Sequence, residues 1–246
     1  MANLVALDNK RHLTTRVNPD KAELHGAGLH LVPVVLSEFT ALALQYPIVL
    51  SKNEQSGQFV FSAMLGFESG ENLFWQHEQW QGLYLPLQIR RQPFFVDSPA
   101  AQLGNNSNTA EYIVCMDIDS PTICESTQAQ AGVALFDENG QDSEYLHQAK
   151  ANLSELLSGE AQNQLLLDKL EALDLLQAMS LEITFADQTS RQLKGLYTVD
   201  QQKLANLTDQ QHLNLYHAGL LPAIYTFISS QGQIHALIDL KNKRLA

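Results

Sequence analysis

The spacing of apolar residues changes near residue 140. Before that point they alternate with polar residues or run together in short blocks, as in strands. Beyond it many recur at three- and four-residue steps, as in helices. Phe59, Phe61, Ala63, Leu65 and Phe67 share one side of a predicted strand, and Ile48-Val49-Leu50 marks another. Residues 112–119 alternate, with Tyr112, Val114, Met116 and Ile118 on one face and Ile113, Cys115, Asp117 and Asp119 on the other. Between residues 37 and 47 the period is helical. Ser37 is placed to cap, and Glu38 lies in the first turn, where the helix dipole favours an acid. Phe39, Leu42, Ala43 and Tyr46 line one face, and Pro47 stops the helix.

Past residue 140, Tyr145, Leu146, Ala149, Leu153, Leu156 and Leu157 predict a helix that starts near Asp142 or Ser143 and closes at Gly159. Leu166, Leu170 and Leu173 seed a second one. Leu181, Ile183 and Phe185 alternate, as do Leu193, Gly195, Tyr197 and Val199, and the polar residues 187–190 between them predict a hairpin. Thr208 and Gln211 fit a capping box, Gly219 a helix C-terminus, and Pro222 the first turn of the next helix. Ile234, Leu237, Ile238 and Leu245 mark a last helix. Strands gathered in the first half and helices in the second predict an α+β fold with a mixed or antiparallel sheet. The expected organisation is a single domain over 1–246: an N-terminal arm (1–30), a strand-rich part (31–140) and a helix-rich part (141–246).

Composition narrows the function. The chain has 246 residues, 45% of them apolar, with 15 Lys and Arg against 27 Asp and Glu, a net charge of −12. It is too apolar for a disordered tail and too acidic to offer a general footprint for nucleic acid. No apolar run approaches the roughly 20 residues of a membrane helix. The start lacks a basic region followed by a long apolar core, so the expected location is cytoplasmic. The two cysteines, Cys115 and Cys124, match no common zinc or redox spacing. Charge is unevenly spread. No Lys or Arg occurs between Arg91 and Lys150, a stretch holding acids from Asp97 and Glu111 through Glu125 to Glu144 and an irregular run at 103–109.

Local motifs for catalysis fail one by one. His77-Glu78 opens like a zinc-protease helix, but the second ligand position is Gln81. Gly26-Ala27-Gly28 has no third glycine on schedule for a dinucleotide loop. Asp117 and Asp119 fall on one face of a strand and could hold a hard cation, or simply face solvent. No catalytic residue, metal ligand or cofactor is assigned on these grounds.

The segment from Phe67 to Phe95 carries the most chemistry. It holds both tryptophans, Trp75 and Trp80, and ends in Arg90-Arg91-Gln92-Pro93-Phe94-Phe95. Two adjacent arginines can fork onto a carboxylate or phosphate. The candidate binding set is Glu38, Glu71, Asn72, Trp80, Tyr84, Arg90 and Arg91. An arginine holds a small anionic ligand, Glu71 and Asn72 orient it, and Trp80 or Tyr84 supplies apolar contact. The competing account pairs the arginines with Glu38, Glu71 or the acidic stretch and makes the aromatics core.

Several spaced segments over residues 25–240 resemble the bacterial SapC family. They are Val34-Val35-Leu36-Ser37-Glu38-Phe39 with Tyr46-Pro47-Ile48-Val49, then Gly70-Glu71-Asn72-Leu73-Phe74. Trp80, Tyr84, Pro86 and Arg90-Arg91-Gln92-Pro93-Phe94 follow, and then Leu135-Phe136-Asp137-Glu138-Asn139-Gly140. The last are Gly195-Leu196-Tyr197, Asp200, Lys203-Leu204, Gly219-Leu220 and Ile224-Tyr225. The departure is Gln92, where an aromatic is common. The resemblance implies association with surface-layer genes and with flavin-dependent halogenase-like proteins, a flavoprotein partner therefore, and no established catalytic set. A peptide-transport permease sharing the family's name is unrelated. The expected function is a soluble, non-catalytic binding or accessory protein, in surface-polymer or nutrient handling or beside that partner. The alternatives are an enzyme with a dispersed site, metal-dependent through Asp117, Asp119 and a distant histidine, and a dimerising scaffold.

Overall fold

The computed structural model describes residues 3–52, 57–97, 112–124 and 132–245. The irregular run at 103–109, Glu111 and Glu125 lie outside them. In chain order the first elements are β1 (Leu4–Ala6), β2 (Arg16–Val17), β3 (Leu31–Pro33), α1 (Phe39–Leu42), β4 (Ile48–Lys52) and β5 (Phe59–Met64). Then come β6 (Trp75–Gln76), β7 (Gln79–Trp80), α2 (Leu87–Arg90), β8 (Phe94–Asp97), β9 (Ile113–Asp117) and β10 (Val133–Ala134). The rest are α3 (Glu144–Ala172), β11 (Leu176–Thr184), β12 (Ser190–Val199), α4 (Gln201–Ala205), α5 (Asp209–His217), α6 (Leu221–Ser230) and α7 (Gln233–Leu245). Every strand pair among the described residues is antiparallel. The fold is α+β, with a strand-rich first half and a helical C-terminal region. No helix among the described residues is long and apolar enough to cross a membrane.

The chain divides into two compact units, Met1–Gly26 with Leu87–Leu157 and Ala27–Pro86 with Ser158–Ala246. In the first, β1, β9 and β8 form one small sheet and β10 pairs with β2. The N-terminal residues are part of this ladder, since Leu4 lies opposite Asp117. Val17, Phe94, Met116 and Leu135 pack with Leu146, Ala149 and Leu153, which recur at helical spacing on the first half of α3.

The second unit is built on a five-stranded sheet in the order β11-β12-β4-β5-β3. β5 lies between β4 and β3, and its consecutive residues Phe61, Ser62, Ala63 and Met64 are all buried. The one-sided alternation expected for it is therefore replaced by cover on both faces. Phe61 packs edge-on against Phe39 of α1 (5.3 Å) and Phe227 of α6 (5.4 Å). The Ile48 N–H is accepted by the buried Ser230 Oγ at 3.1 Å.

Further local expectations change. α1 ends at Leu42, short of Tyr46 and Pro47. Ser37 does not cap: Leu36–Glu38 form a short 3₁₀ turn, and the Val35 N–H is accepted by Glu38 Oε2 at 3.2 Å instead. Gly159 does not end a helix. The two expected helices are one, α3, and Gly159 lies in its interior. A Cβ there would sit 2.5 Å from the Cβ of buried Val35. The glycine is a packing contact rather than a terminator. One turn on, Asn163 donates to Val34 O (2.8 Å) and accepts from Leu36 N–H (3.0 Å), fastening α3 to the chain just past β3.

Candidate functional site

The seven candidate residues fall in both units: Glu38, Glu71, Asn72, Trp80 and Tyr84 in the sheet-based unit, Arg90 and Arg91 in the other. Glu38 is 1% exposed. Glu71 and Asn72 shape the loop after β5. Glu71 Oε2 accepts the Phe67 N–H at 2.8 Å, and Oε1 is paired with Lys241 of α7. Burial opposes the charge of Lys241, but Glu71 and Glu68 (3.2 Å) outweigh it and hold its pKa above the usual lysine value. Asn72 Oδ1 accepts the Phe74 N–H at 2.8 Å, an Asx turn. Arg244, one helical turn past Lys241, donates to Leu73 O (2.8 Å) and Trp75 O (3.0 Å). Gly70–Trp75 is thus pinned from α7.

Trp80 and Tyr84 meet around Tyr46, a residue outside the candidate set. Its hydroxyl donates to Tyr84 O at 2.7 Å and accepts from Trp80 Nε1–H at 3.2 Å. The ring stands edge-on to Phe74 at 4.7 Å. Burial pushes the phenol up to about 12, against the opposing effect of both hydrogen bonds. Gly82 is required beside it, because a Cβ at 82 would lie 1.8 Å from the hydroxyl oxygen. The β6–β7 hairpin that carries Trp80 turns through His77 and Glu78, both at positive φ (51° and 60°), the two-residue turn that matches strand twist.

Arg91 is held within its own unit. Nε donates to Gln88 Oε1 (2.8 Å), Nη1 donates to Phe94 O (2.7 Å), and the guanidinium lies 4.1 Å from the Phe95 ring centroid. Arg90 is exposed at the end of α2. Next to the pair, the Gln92 Oε1 is buried with no hydrogen-bond partner. Asp117 Oδ1 accepts the N–H groups of Asn3 (2.9 Å) and Asp119 (3.2 Å), closing a turn. No group of three or more metal-ligating side chains occurs among the described residues. His25 Nε2 and Ser120 Oγ are 2.9 Å apart, but Ser120 is only 5% exposed. Its hydroxyl also bonds Thr122 Oγ1 (2.8 Å) and the Thr122 N–H (3.3 Å), which is turn chemistry rather than a presented nucleophile.

The sheet-based unit also holds a half-open cleft of about 450 Å³. Three segments line it: the 36–40 turn, the Gln162–Leu165 stretch of α3, and the α5–α6 junction from Ala218 to Thr226. Its polar groups are the hydroxyls of Ser37, Thr40 and Thr226 and the amide of Gln162, and no lining side chain is ionisable. The junction owes its shape to Gly219, at φ +70°, after the capped helix α5. No sequence motif announces this cleft, because its residues come from three separate stretches.

A family model described as SapC matches residues 7–237. The chain belongs to the SapC family. No curated protein and no solved structure gives a match. The SapC match spans residues of both compact units and the whole lining of the cleft.

Proposed function

We propose that this SapC-family protein is a ligand-binding accessory protein and that the uncharged cleft at Ser37, Thr40, Gln162 and Thr226 is where it binds. The supporting observation is the cleft itself. Its volume of about 450 Å³ falls in the range of roughly 300–1,000 Å³ usual for small-molecule sites. Hydroxyls and an amide alternate there with Leu36, Leu165 and Pro222, which suits a neutral molecule with an apolar body and a few hydrogen-bonding groups. A charged ligand would lose its hydration in the cleft with no counterion among the lining side chains. The partner proposed on the family resemblance is a flavin-dependent halogenase-like protein, tested by co-purification.

Nile red, a neutral dye, is the probe. Wild type is expected to bind it saturably. Ala223→Trp, which fills the cleft, and Leu165→Glu, which charges its rim at a residue 44% exposed, are each expected to weaken binding at least about tenfold. Thermal unfolding should be little changed by Leu165→Glu. Absence of binding by wild type, or equal binding by both variants, refutes the reading. The second proposal, an anion at Arg90 and Arg91, is tested by phosphate titration of Arg90→Ala.

A further inference from the structure

The five-stranded sheet has two edges, and the chain treats them differently. β3 is three residues long and ends in Pro33, which has no N–H to offer. Such an edge is blunted against further pairing. β11, at the other edge, is nine residues long, contains no proline, and carries one charge, Glu182.

Its regularity is also protected. The register with β12 runs Met179 opposite Leu196, then Leu181 opposite Leu193, so β12 carries the extra residue. Gly195 lies in that bulge with φ +75°. β11 itself keeps strict alternation along its length. Gln177, Met179, Leu181 and Ile183 share one face, and Leu176, Ala178, Ser180, Glu182 and Thr184 the other. Met179 and Leu181 are half-buried, while Ala178, Ser180 and Glu182 are exposed.

We propose that the outer edge of β11 pairs antiparallel with β11 of a second copy of this chain, giving a two-fold dimer in which two sheets become one. The strand is complementary to itself in the register that overlaps it fully, centred on Ser180. Met179 then meets Leu181 of the second copy and Gln177 meets Ile183, so Met179, Leu181 and Ile183 stay on one face. Glu182 meets Ala178 of the second copy, so the only charge on the strand never opposes its own image. A two-fold interface makes each such pair twice. This inference is independent of what the cleft binds.

Sedimentation equilibrium over a concentration series tests it, with Ala178→Glu and Ala178→Lys beside wild type. Ala178 is exposed, and circular dichroism should show both variants folded as wild type. Wild type is expected to show a monomer–dimer equilibrium. Ala178→Glu sets like charges opposite each other twice and should weaken the dimer between about twofold and about thirtyfold; Ala178→Lys should tighten it over a similar range. Adding Glu182→Lys to Ala178→Glu should restore the affinity. The proposal is overturned if wild type is monomeric throughout, if neither variant moves the constant, or if both move it the same way.

Discussion

Gly82→Ala is a small substitution with a large expected effect. Gly82 does not need glycine for a positive φ; it needs glycine for space. The added Cβ would lie 1.8 Å from the Tyr46 hydroxyl oxygen, 2.5 Å from Trp80 Nε1 and 3.0 Å from Tyr46 Cζ. Tyr46 is fully buried, so the phenol has no solvent to retreat into. Moving it breaks the bonds to Tyr84 O and Trp80 Nε1. Two buried hydrogen bonds stabilise by about 1–3 kcal/mol together, and overpacking strain adds about 1–3 kcal/mol. The stiffer unfolded chain returns about 0.4–1 kcal/mol. The net expected loss is about 1–6 kcal/mol, read by urea unfolding followed by circular dichroism. Tyr46→Phe alone should cost about 1–2 kcal/mol, because Trp80 Nε1–H keeps Tyr84 O at 3.3 Å. The double variant should cost less than the sum by about 1–2 kcal/mol, since the oxygen that clashes is gone and its bonds are not lost twice. Additivity within about 0.5 kcal/mol, or a neutral Gly82→Ala, refutes the steric account.

Alkaline titration should destabilise the fold. Tyr46 ionises near 10 when unfolded and near 12 when folded, so its stabilisation is complete below pH 10 and is lost as pH rises towards 12. Tyr46 accounts for about 3 kcal/mol of the loss, and Tyr145, also pushed up to about 12 by burial, for a similar amount, so Tyr46→Phe should remove about half of the decline. Arg244→Ala should cost about 1–2 kcal/mol in urea unfolding by freeing Leu73 O and Trp75 O. Gly159→Ala should lose about 1–2 kcal/mol against Val35, where an open helix site would gain about 1 kcal/mol; a gain in the melting temperature refutes the contact. Gln92→Leu should stabilise by about 1 kcal/mol, because it removes a buried acceptor that has no partner.

Local chemistry was legible in the sequence, and long-range contact was not. The β11–β12 hairpin follows from alternation around a polar turn, and the Thr208–Gln211 box is present as expected. Gly219 ends α5 with the left-handed φ that a C-terminal glycine supplies. Gly159 misled because a helix-ending glycine and a close-packing glycine look alike until Val35, distant in sequence, is placed against it. Tyr46 looked like one apolar position on a helix; its role depends on Trp80, Tyr84 and Gly82, none of which is within one helical turn. The β1–β9 ladder joins residues more than 100 positions apart, beyond any periodicity. For the candidate site, the residue types around Glu71 and Trp80 were read from sequence, but not that Lys241 and Arg244 hold their loop. The cleft was invisible, since single hydroxyls at 37, 40 and 226 carry no pattern.

Both tryptophans of the chain, Trp75 and Trp80, face each other across the β6–β7 hairpin. Intrinsic tryptophan emission therefore has its source in the sheet-based unit and none in the unit built from Met1–Gly26 and Leu87–Leu157. Backbone dichroism sees both units. If the two signals trace one urea transition, the units unfold as one cooperative body; if they separate, the gap between the midpoints measures how independently each unit folds.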